Sequence, residues 1–275
     1  MPSEERLKEI HRLAVLGEEV AIAREVSGML ARAWLGTSRF REVEELCGKT
    51  LELGPAAVSL NYLARAKQVL GAVGEALQLF REAQELCESV GDRAGLAGTL
   101  NNIGEIYRST GRNEEALEYY GKARSICEEV GNRAGLASTL NNIGAVYQRT
   151  GRNEEALENF GKALPIREEV GDRAGLASTL NNIGAVYQST GRNEEALEYH
   201  EKALTILEEV GNRADLATTL NNIGAVYQRT GRNEESLEYY GKALAISEEV
   251  GDRAGLAITL RSRPKPSPQF VVDLV

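Results

Sequence analysis

The stretch TLNNIGAVYQRTGRNEEAL, from Thr139 to Leu157, stands four times in the sequence with few changes, and the other copies begin at Thr99, Thr179 and Thr219. Each copy therefore begins forty residues after the one before it. The segments 137–176 and 177–216 differ at only eight of forty positions. A period this strict indicates that the 275 residues form an array of structural repeats rather than one or two ordinary globular domains.

One repeat has the pattern of two helices joined by a short turn. Apolar or small residues at positions 140, 143, 144 and 147 recur at spacings of three and four, which places them on one helix face. Gly151 suits the left-handed conformation that ends a helix. We expect Asn153 to cap the second helix and Asp172 to cap the first helix of the next copy. Because a lone helical hairpin cannot bury both apolar faces, stacking on neighbouring copies is expected to form a continuous core.

A glycine lies inside the first helix of each copy, at positions 104, 144, 184 and 224. A glycine there costs up to about 1 kcal/mol relative to alanine. Close approach of the second helix is expected to offset this cost. The residues expected to allow that approach are the small ones at the facing position, Ala116, Ala156, Ala196 and Ser236.

The large, small and aromatic residues at fixed offsets over the two helices are Leu140, Ile143, Gly144, Tyr147, Ala156, Phe160 and Ala163. They resemble the signature of tetratricopeptide repeats (TPRs). The forty-residue spacing, with LNNIG and GDRA, is similar to the subgroup found in kinesin light chains and in LGN/Pins-type adaptors. The resemblance implies an all-α fold, a right-handed superhelical solenoid of stacked antiparallel helix pairs. It also implies that the first helices line a concave surface.

The repeat pattern predicts three regions along the chain. Residues 1–16 form an amino-terminal capping helix, and residues 17–263 form an array of about six repeats plus a partial seventh helix. Residues 264–275 form a proline-rich, extended tail, because prolines at 264, 266 and 268 prevent a helix. The apolar end of this tail is expected either to dock on the end of its own array or in a neighbouring molecule's groove, or to stay disordered.

Composition excludes several classes of function. The formal charge of −9 disfavours nucleic acid as a partner, and no apolar run approaches the length that spans a membrane. Cys47, Cys87 and Cys127 occupy apolar helix positions and are expected to be free and buried, without disulfides or metal. These features favour a soluble, cytoplasmic protein.

The sequence contains no recognisable catalytic motif. It lacks a phosphate-binding loop, a nucleophile elbow and metal-ligand spacing. His200 stands where other copies have Phe160 or an aromatic equivalent, so we expect a histidine packed in the core. We therefore predict no enzyme activity, no cofactor and no metal.

The asparagine pairs of the first helices are the strongest candidates for function: Asn101 and Asn102, Asn141 and Asn142, Asn181 and Asn182, Asn221 and Asn222. Asparagine gains nothing from capping in a helix interior. In the resembling families, the second asparagine of each pair grips the backbone of an extended peptide, which an amide can do by donating and accepting. Alternatively, the amides bond neighbouring repeats to each other. Both roles are compatible if each asparagine of a pair performs one.

Side chains near the end of the first helices are expected to add specificity, and these are Gln148, Arg149, Gln188, Gln228 and Arg229. The negative charge belongs mainly to the second helices. Arginines recur at 93, 133, 173, 213 and 253. If they reach the groove, it favours an acidic peptide; their spacing is equally explained by pairing with acids.

The preferred interpretation is a scaffold or adaptor that binds an extended, acidic peptide segment of a partner protein in its groove. A second interpretation is the sensor portion of a larger signalling enzyme, an ATPase or protease with TPRs. A third is self-association through the array ends or the tail.

Overall fold

The computed structural model describes residues 2–262, and every regular element in this range is an α-helix. The chain divides into two units, Met1–Asn142 and Ile143–Val275, with the division inside the eighth helix, α8 (Arg133–Arg149). Before α8, the first unit contains α1 (Glu4–Leu16), α2 (Val20–Gly36), α3 (Phe40–Glu52), α4 (Ala57–Val69), α5 (Val73–Val90), α6 (Arg93–Ser109) and α7 (Asn113–Glu129). After α8, the second unit contains α9 (Asn153–Glu169), α10 (Arg173–Ser189), α11 (Asn193–Val210), α12 (Arg213–Arg229), α13 (Asn233–Val250) and α14 (Arg253–Ser262).

Helices pack in consecutive pairs within each unit. In the first unit α4 packs on α5 and α6 on α7, and in the second unit α10 packs on α11 and α12 on α13. The first helices of successive pairs also touch, α2 with α4 and α4 with α6 in the first unit, and α10 with α12 and α12 with α14 in the second. The predicted all-α fold of stacked helix pairs is confirmed, whereas the right-handed superhelical course stays a prediction.

Helix α1 lies within residues 1–16 and the short α14 within residues 17–263. The division of the chain into a capping helix, an array of about six repeats and a partial seventh helix stays a prediction. The tail at 264–275, with its predicted docking, lies outside the described residues. Within residues 2–262, no helix is long and apolar enough to cross a membrane.

The turns between helices follow the sequence pattern except at one cap. Gly151 has φ +77°, and the side chain of Asp172 accepts a hydrogen bond of 2.9 Å from the backbone N–H of Gly175. The predicted capping role of Asn153 is wrong. The carbonyl of Arg152 already accepts the first helical bond, from the N–H of Ala156 at 3.0 Å, so Asn153 is the first residue inside α9.

The interior glycines accommodate aromatic rings of the second helix. A Cβ atom at Gly144 would lie 2.6 Å from Cε1 of Phe160, and one at Gly184 would lie 2.7 Å from Cε1 of His200. The close approach that we expected is present, and the nearest atoms at each glycine belong to a ring of the second helix. The role expected for the small residue Ala156 stays a prediction. Rings fill the space because a side chain one helical turn further along the second helix reaches across to the glycine.

Several buried polar and thiol groups behave as the sequence predicted. Cys47, Cys87 and Cys127 are buried and free, and burial raises the pKa of the Cys47 thiol to about 11. His200 has no exposed surface. These side chains act as parts of the core.

Candidate functional site

The first unit contains a concave pocket of about 820 Å³ built mainly from its first helices. Asn101, Asn102 and Asn142 contribute to its polar wall. The rest of that wall consists of Arg65, Gln68, Glu105, Ser109 and Thr110, and the apolar wall consists of Leu35, Phe40, Val69 and Val73. The pocket therefore brings together three of the predicted site residues. It combines apolar surface with amide groups, which is the usual composition of a ligand site.

Asparagine side chains in this pocket also bond one repeat to the next. The Nδ2 of Asn61 donates to the hydroxyl of Thr99 at 2.8 Å, and the Nδ2 of Asn102 donates to the Oδ1 of Asn61 at 3.1 Å. Thr99 and Asn102 belong to α6, whereas Asn61 belongs to α4. A polar link thus joins two successive first helices.

The same link recurs forty residues later. The Oδ1 of Asn101 lies 3.2 Å from the Nδ2 of Asn142 and 3.3 Å from the hydroxyl of Thr139. We call this repeated set, Asn61, Thr99, Asn102, Asn101, Thr139 and Asn142, the asparagine ladder. Its geometry corresponds to the inter-repeat role, which the sequence left open beside peptide contact.

The ladder leaves part of each second asparagine unused. An amide carries two N–H donors and one carbonyl acceptor, and the ladder takes one donor from Asn102 and one from Asn142. Among residues 2–262, the Oδ1 atoms of these two side chains have no hydrogen-bond partner. Both side chains are half-buried and line the pocket. Asn101, the first asparagine of its pair, therefore bonds the next repeat through its acceptor. The second asparagines, Asn102 and Asn142, each keep one carbonyl acceptor and one N–H donor that the ladder does not use.

In the second unit, Asn181 connects the core to the next repeat. Its Nδ2 donates to the hydroxyl of Thr219 at 2.6 Å, and its Oδ1 lies 2.9 Å from Nδ1 of His200. Burial alone lowers the pKa of His200 to about 4. The imidazole is therefore neutral at pH 7 and donates from Nδ1 to Asn181.

The remaining asparagines have different surroundings. Asn141 and Asn182 are half-buried and engaged by partners. Asn222 is also half-buried. The Oδ1 of Asn221 is buried and has no hydrogen-bond partner among the described residues. The position that would supply its donor, forty residues after Asn222, holds Ser262 instead of asparagine.

The predicted specificity residues are only partly assembled. Arg229 donates through Nη1 to the backbone carbonyl of Gln188, and Gln228 accepts a hydrogen bond of 3.2 Å from the hydroxyl of Tyr240. Gln148 is half-buried and Arg149 is exposed. These five residues do not line the pocket of the first unit.

Three of the evenly spaced arginines form ion pairs within their own repeats. Arg93 pairs with Glu129 in the first unit. Arg173 pairs with Glu209 and Arg213 with Glu249 in the second. Each pair joins the first turn of a first helix to the end of the second helix. Pairing with acids, one of the two explanations left open, therefore accounts for these three arginines.

Arg65 and Asn61 are site residues that the sequence analysis missed. Arg65 is exposed in the pocket and has no ion-pair partner in the described part of the chain, while the other charged residue there, Glu105, pairs with Arg108. Asn61 stands forty residues before Asn101, in SLNYLARA. The repeat register could have revealed both. Within residues 2–262, no group of three or more His, Cys, Asp or Glu side chains is placed to hold a metal ion.

Comparison with solved structures places the fold among known helical repeat proteins. BtubC (BKLC) from P. vanneervenii is 25% identical, with a TM-score of 0.62 over 92% of this chain and 95% of that one. A Rap protein complexed with competence and sporulation factor is 19% identical, with a TM-score of 0.72 over 94% and 80%. Nearly identical TPR-like repeats of a kinesin light chain from Podosopora anserina are 19% identical, with a TM-score of 0.55 over 71% and 96%.

At the level of sequence, no curated protein matches the chain significantly. The family model described as tetratricopeptide repeat matches residues 55–129, 135–209 and 215–263. These matches cover more than half of the chain and coincide with its helix pairs. The chain therefore belongs to the tetratricopeptide repeat family and has that family's solenoid fold of stacked helix pairs.

Proposed function

We propose that this protein is a cytoplasmic, non-catalytic scaffold or adaptor that binds an extended peptide segment of a partner protein. The observation that carries the proposal is the pair of partly unused amide groups, on Asn102 and Asn142, in the pocket of the first unit. An amide that both donates and accepts can read the main chain of an extended peptide. Membership of a family of repeat proteins supports a binding function.

Charge in the pocket favours an acidic segment. Arg65 is exposed and has no ion-pair partner within residues 2–262, whereas Glu105 is already neutralised by Arg108 at 2.5 Å. The pocket consequently presents one free positive charge. A carboxylate of the peptide would gain a charge-assisted hydrogen bond from the guanidinium.

The proposal extends to the rest of the predicted set. Asn182 and Asn222 hold the position of Asn102 and Asn142 in later repeats, and the glutamines and Arg149 lie near the ends of their helices. We expect the second unit to contact peptide through Asn182, Asn222, Gln148, Arg149, Gln188 and Gln228. We expect Asn101, Asn141, Asn181, Asn221 and Arg229 to act mainly between repeats.

The test is selection of displayed twelve-residue peptides on the wild-type protein, followed by affinity measurement on variants. Arg65→Glu should weaken the selected peptides by tenfold or more without changing the melting temperature, because Arg65 has no partner to lose. Arg6→Glu, which makes the same charge change on exposed surface of α1, should leave affinity unchanged. Peptides that bind equally to wild type and Arg65→Glu, or that carry no excess of acids, would contradict the proposal.

The amide contribution is tested by Asn102→Ala combined with Asn142→Ala. We expect a further loss of tenfold or more in affinity, together with about 1 kcal/mol of stability for each ladder bond removed. Gln78→Ala on α5 removes an exposed amide that bonds only Glu82, and it provides the control. Unchanged affinity in the double variant would restrict the asparagines to the inter-repeat role.

The sensor interpretation is a second candidate. The similarity to a Rap protein complexed with competence and sporulation factor, over 94% of this chain, is compatible with a TPR region that responds to a bound factor. A sensor would differ from an adaptor in changing its hydrogen-exchange protection when the selected peptide binds.

Self-association through the array end is a third candidate, and one observation favours it. Leu260 on α14 is 60% exposed, although its equivalent Leu220 on α12 is 5% exposed. Molecular mass in solution, compared between wild type and Leu260→Ser, tests this directly. A monomer in both cases would exclude it.

A further inference from the structure

Two depressions in the surface of the first unit, of about 670 and 840 Å³, lie beside the turn that joins α3 to α4. Pro55 and Leu86 line both of them, so the two depressions adjoin. Further apolar lining comes from Leu79 in the smaller depression and from Val58 and Val90 in the larger one. We call the two together the junction notch. It shares no lining residue with the pocket that contains the asparagines.

The notch is present because α4 lacks the first turn of its later equivalents. Helix α6 begins at Arg93, whereas α4 begins at Ala57, the equivalent of Ala97, so α4 starts four residues later, about one turn. In later copies this turn carries a leucine, at positions 96, 136, 176 and 216, that is only 5–9% exposed. Ala56 stands at the equivalent position. No leucine of this repeat therefore fills the place.

Two side chains of α5 are more exposed than their equivalents for this reason. Leu86 is half-buried, whereas the isoleucines at the equivalent positions, 126, 166, 206 and 246, are 6–9% exposed. In the second unit, Ile206 belongs to the same core cluster as Leu176, a leucine of the turn that α4 lacks. Val90 is 68% exposed, whereas the equivalent valines at 130, 170, 210 and 250 are 39–42% exposed. The notch is thus apolar surface that later repeats cover.

The ion pair that joins the two helices of a later repeat beside this place is also missing. In the next repeat, Arg93 pairs with Glu129. The equivalent residues forty positions earlier are Leu53 and Ser89, which cannot form an ion pair. Neither the apolar nor the charged contact of later repeats therefore closes the notch.

Charge around the notch favours a basic occupant. Glu82 and Glu85 line the smaller depression, both are exposed, and neither forms an ion pair among residues 2–262. No cation lines that depression within the described part of the chain. In the larger depression two cations and two acids balance, Arg24, Arg32, Glu25 and Asp92.

We infer that the junction notch binds a short amphipathic helix of a partner protein. The helix inserts two aliphatic side chains one turn apart and places a basic side chain beside Glu82 and Glu85. A helical occupant follows from the later repeats, in which the first turn of a helix fills the equivalent place. Side chains one turn apart are about 5–6 Å from each other, which suits two depressions that share Pro55 and Leu86.

The probe is a fluorescein-labelled peptide of about twelve residues, held helical by a lactam bridge because so short a helix is marginal in water. It carries two leucines one turn apart on one face and lysines beside them. Fluorescence anisotropy should give a saturable titration with a dissociation constant of about 100 μM or below. A peptide of the same composition, with its two leucines on opposite faces, should bind tenfold or more weakly because only one leucine can be buried.

A third peptide tests the charge. Glutamates in place of the lysines should weaken binding about threefold or more at low salt, and the difference should shrink as salt screens the acids of the notch. Equal affinity of the lysine and glutamate peptides at low salt would overturn the basic part of the inference.

Serine variants of the protein provide the matched test of the apolar part. Val58→Ser and Val90→Ser should each weaken the probe about threefold or more, because each removes apolar surface from the notch. Serine already stands at the position equivalent to Val58 in two later copies, Ser138 and Ser178. Val130→Ser makes the same change at the valine equivalent to Val90, outside the notch, and should bind the probe as wild type does. Melting temperatures of all three variants verify that they fold.

The site is separate from the proposed peptide groove, and Arg65→Glu distinguishes the two. This variant should weaken the groove peptides and leave binding of the helical probe unchanged. The inference is overturned if the two leucine arrangements bind alike, or if folded Val58→Ser and Val90→Ser bind the probe as tightly as wild type. It is equally overturned if the probe binds only after a dimer of the protein dissociates or after residues 264–275 are removed, since this chain itself would then occupy the notch.

Discussion

The free energy of unfolding of the second unit should depend on pH because of His200. Replacing His200 by phenylalanine should remove most of that dependence. The imidazole is fully buried, its Nδ1 bonds Asn181, and its Nε2 has no partner in the described part of the chain. A proton on Nε2 would place a charge in the core without a counter-ion. Burial therefore lowers the pKa from 6.5 to about 4, and no charged group contributes to that shift.

The size of the effect follows from the difference between 6.5 and about 4. Each unit of pKa corresponds to 1.36 kcal/mol, so at most about 3 kcal/mol is at stake. The unfolded chain binds the proton at higher pH than the folded chain, so the stability is fully present above the unfolded pKa. It is lost as pH falls from 6.5 toward about 4.

The assay is urea unfolding, followed by circular dichroism, at a series of pH values from neutral to about 4.5. Between pH 7 and about pH 5.5, wild type should lose about 1.2 kcal/mol more than His200→Phe. Other titrating groups are common to both proteins and cancel in this difference. Phenylalanine fits, because Phe160 occupies the equivalent position beside Gly144 in the preceding copy. Parallel curves for the two proteins over the whole range would refute the reasoning.

Four further substitutions test the packing, a cap and a surface ion pair. Gly144→Ala should destabilise the fold by about 1–3 kcal/mol, because its Cβ would lie 2.6 Å from the ring of Phe160. Gly161→Ala should stabilise the fold by up to about 1 kcal/mol, because no atom lies within 4 Å of the new Cβ. Thermal unfolding that ranks these two variants in the opposite order would contradict the packing argument. Asp172→Ala should cost about 3 kcal/mol or more in urea unfolding, since it removes a helix cap and the partner of an Arg167 side chain that is 6% exposed. Arg213→Ala breaks only an exposed pair and should change stability by about 0.5 kcal/mol or less, with any effect disappearing at high salt.

The helix pairs were predictable because each depends on local information. Apolar spacing, a glycine at positive φ and an aspartate three residues before the N–H that it caps all lie within one repeat. The misplaced cap at Asn153 shows where local information ends. Asparagine suits a cap chemically, but the carbonyl of Arg152 begins the helix one residue earlier, and this depends on how tightly the turn closes.

The site was less predictable because its contacts join different repeats. The sequence identified the asparagine pairs without showing that Asn101 meets Asn142, a contact across forty-one residues. Asn61 and Arg65 were missed because they lie in the degenerate repeat. The residues around them differ from those around the equivalent positions in later copies. The arginines at 93, 173 and 213 recur with the same spacing as the candidate asparagines, so the sequence could not distinguish ion pairing from ligand contact. The structure shows that these arginines form ion pairs.

The contact between a helix glycine and a ring also affects how such an array can accumulate mutations. The glycine accepts no added atom without a shift of the facing ring, whereas the ring position already holds tyrosine, phenylalanine and histidine in copies that are otherwise almost the same. When duplicated copies drift apart, the two ends of this contact should therefore diverge at unequal rates. The glycine end fixes the distance between the helices, while the ring end is free to acquire new chemistry, such as the titratable group at His200, without altering the spacing of the array.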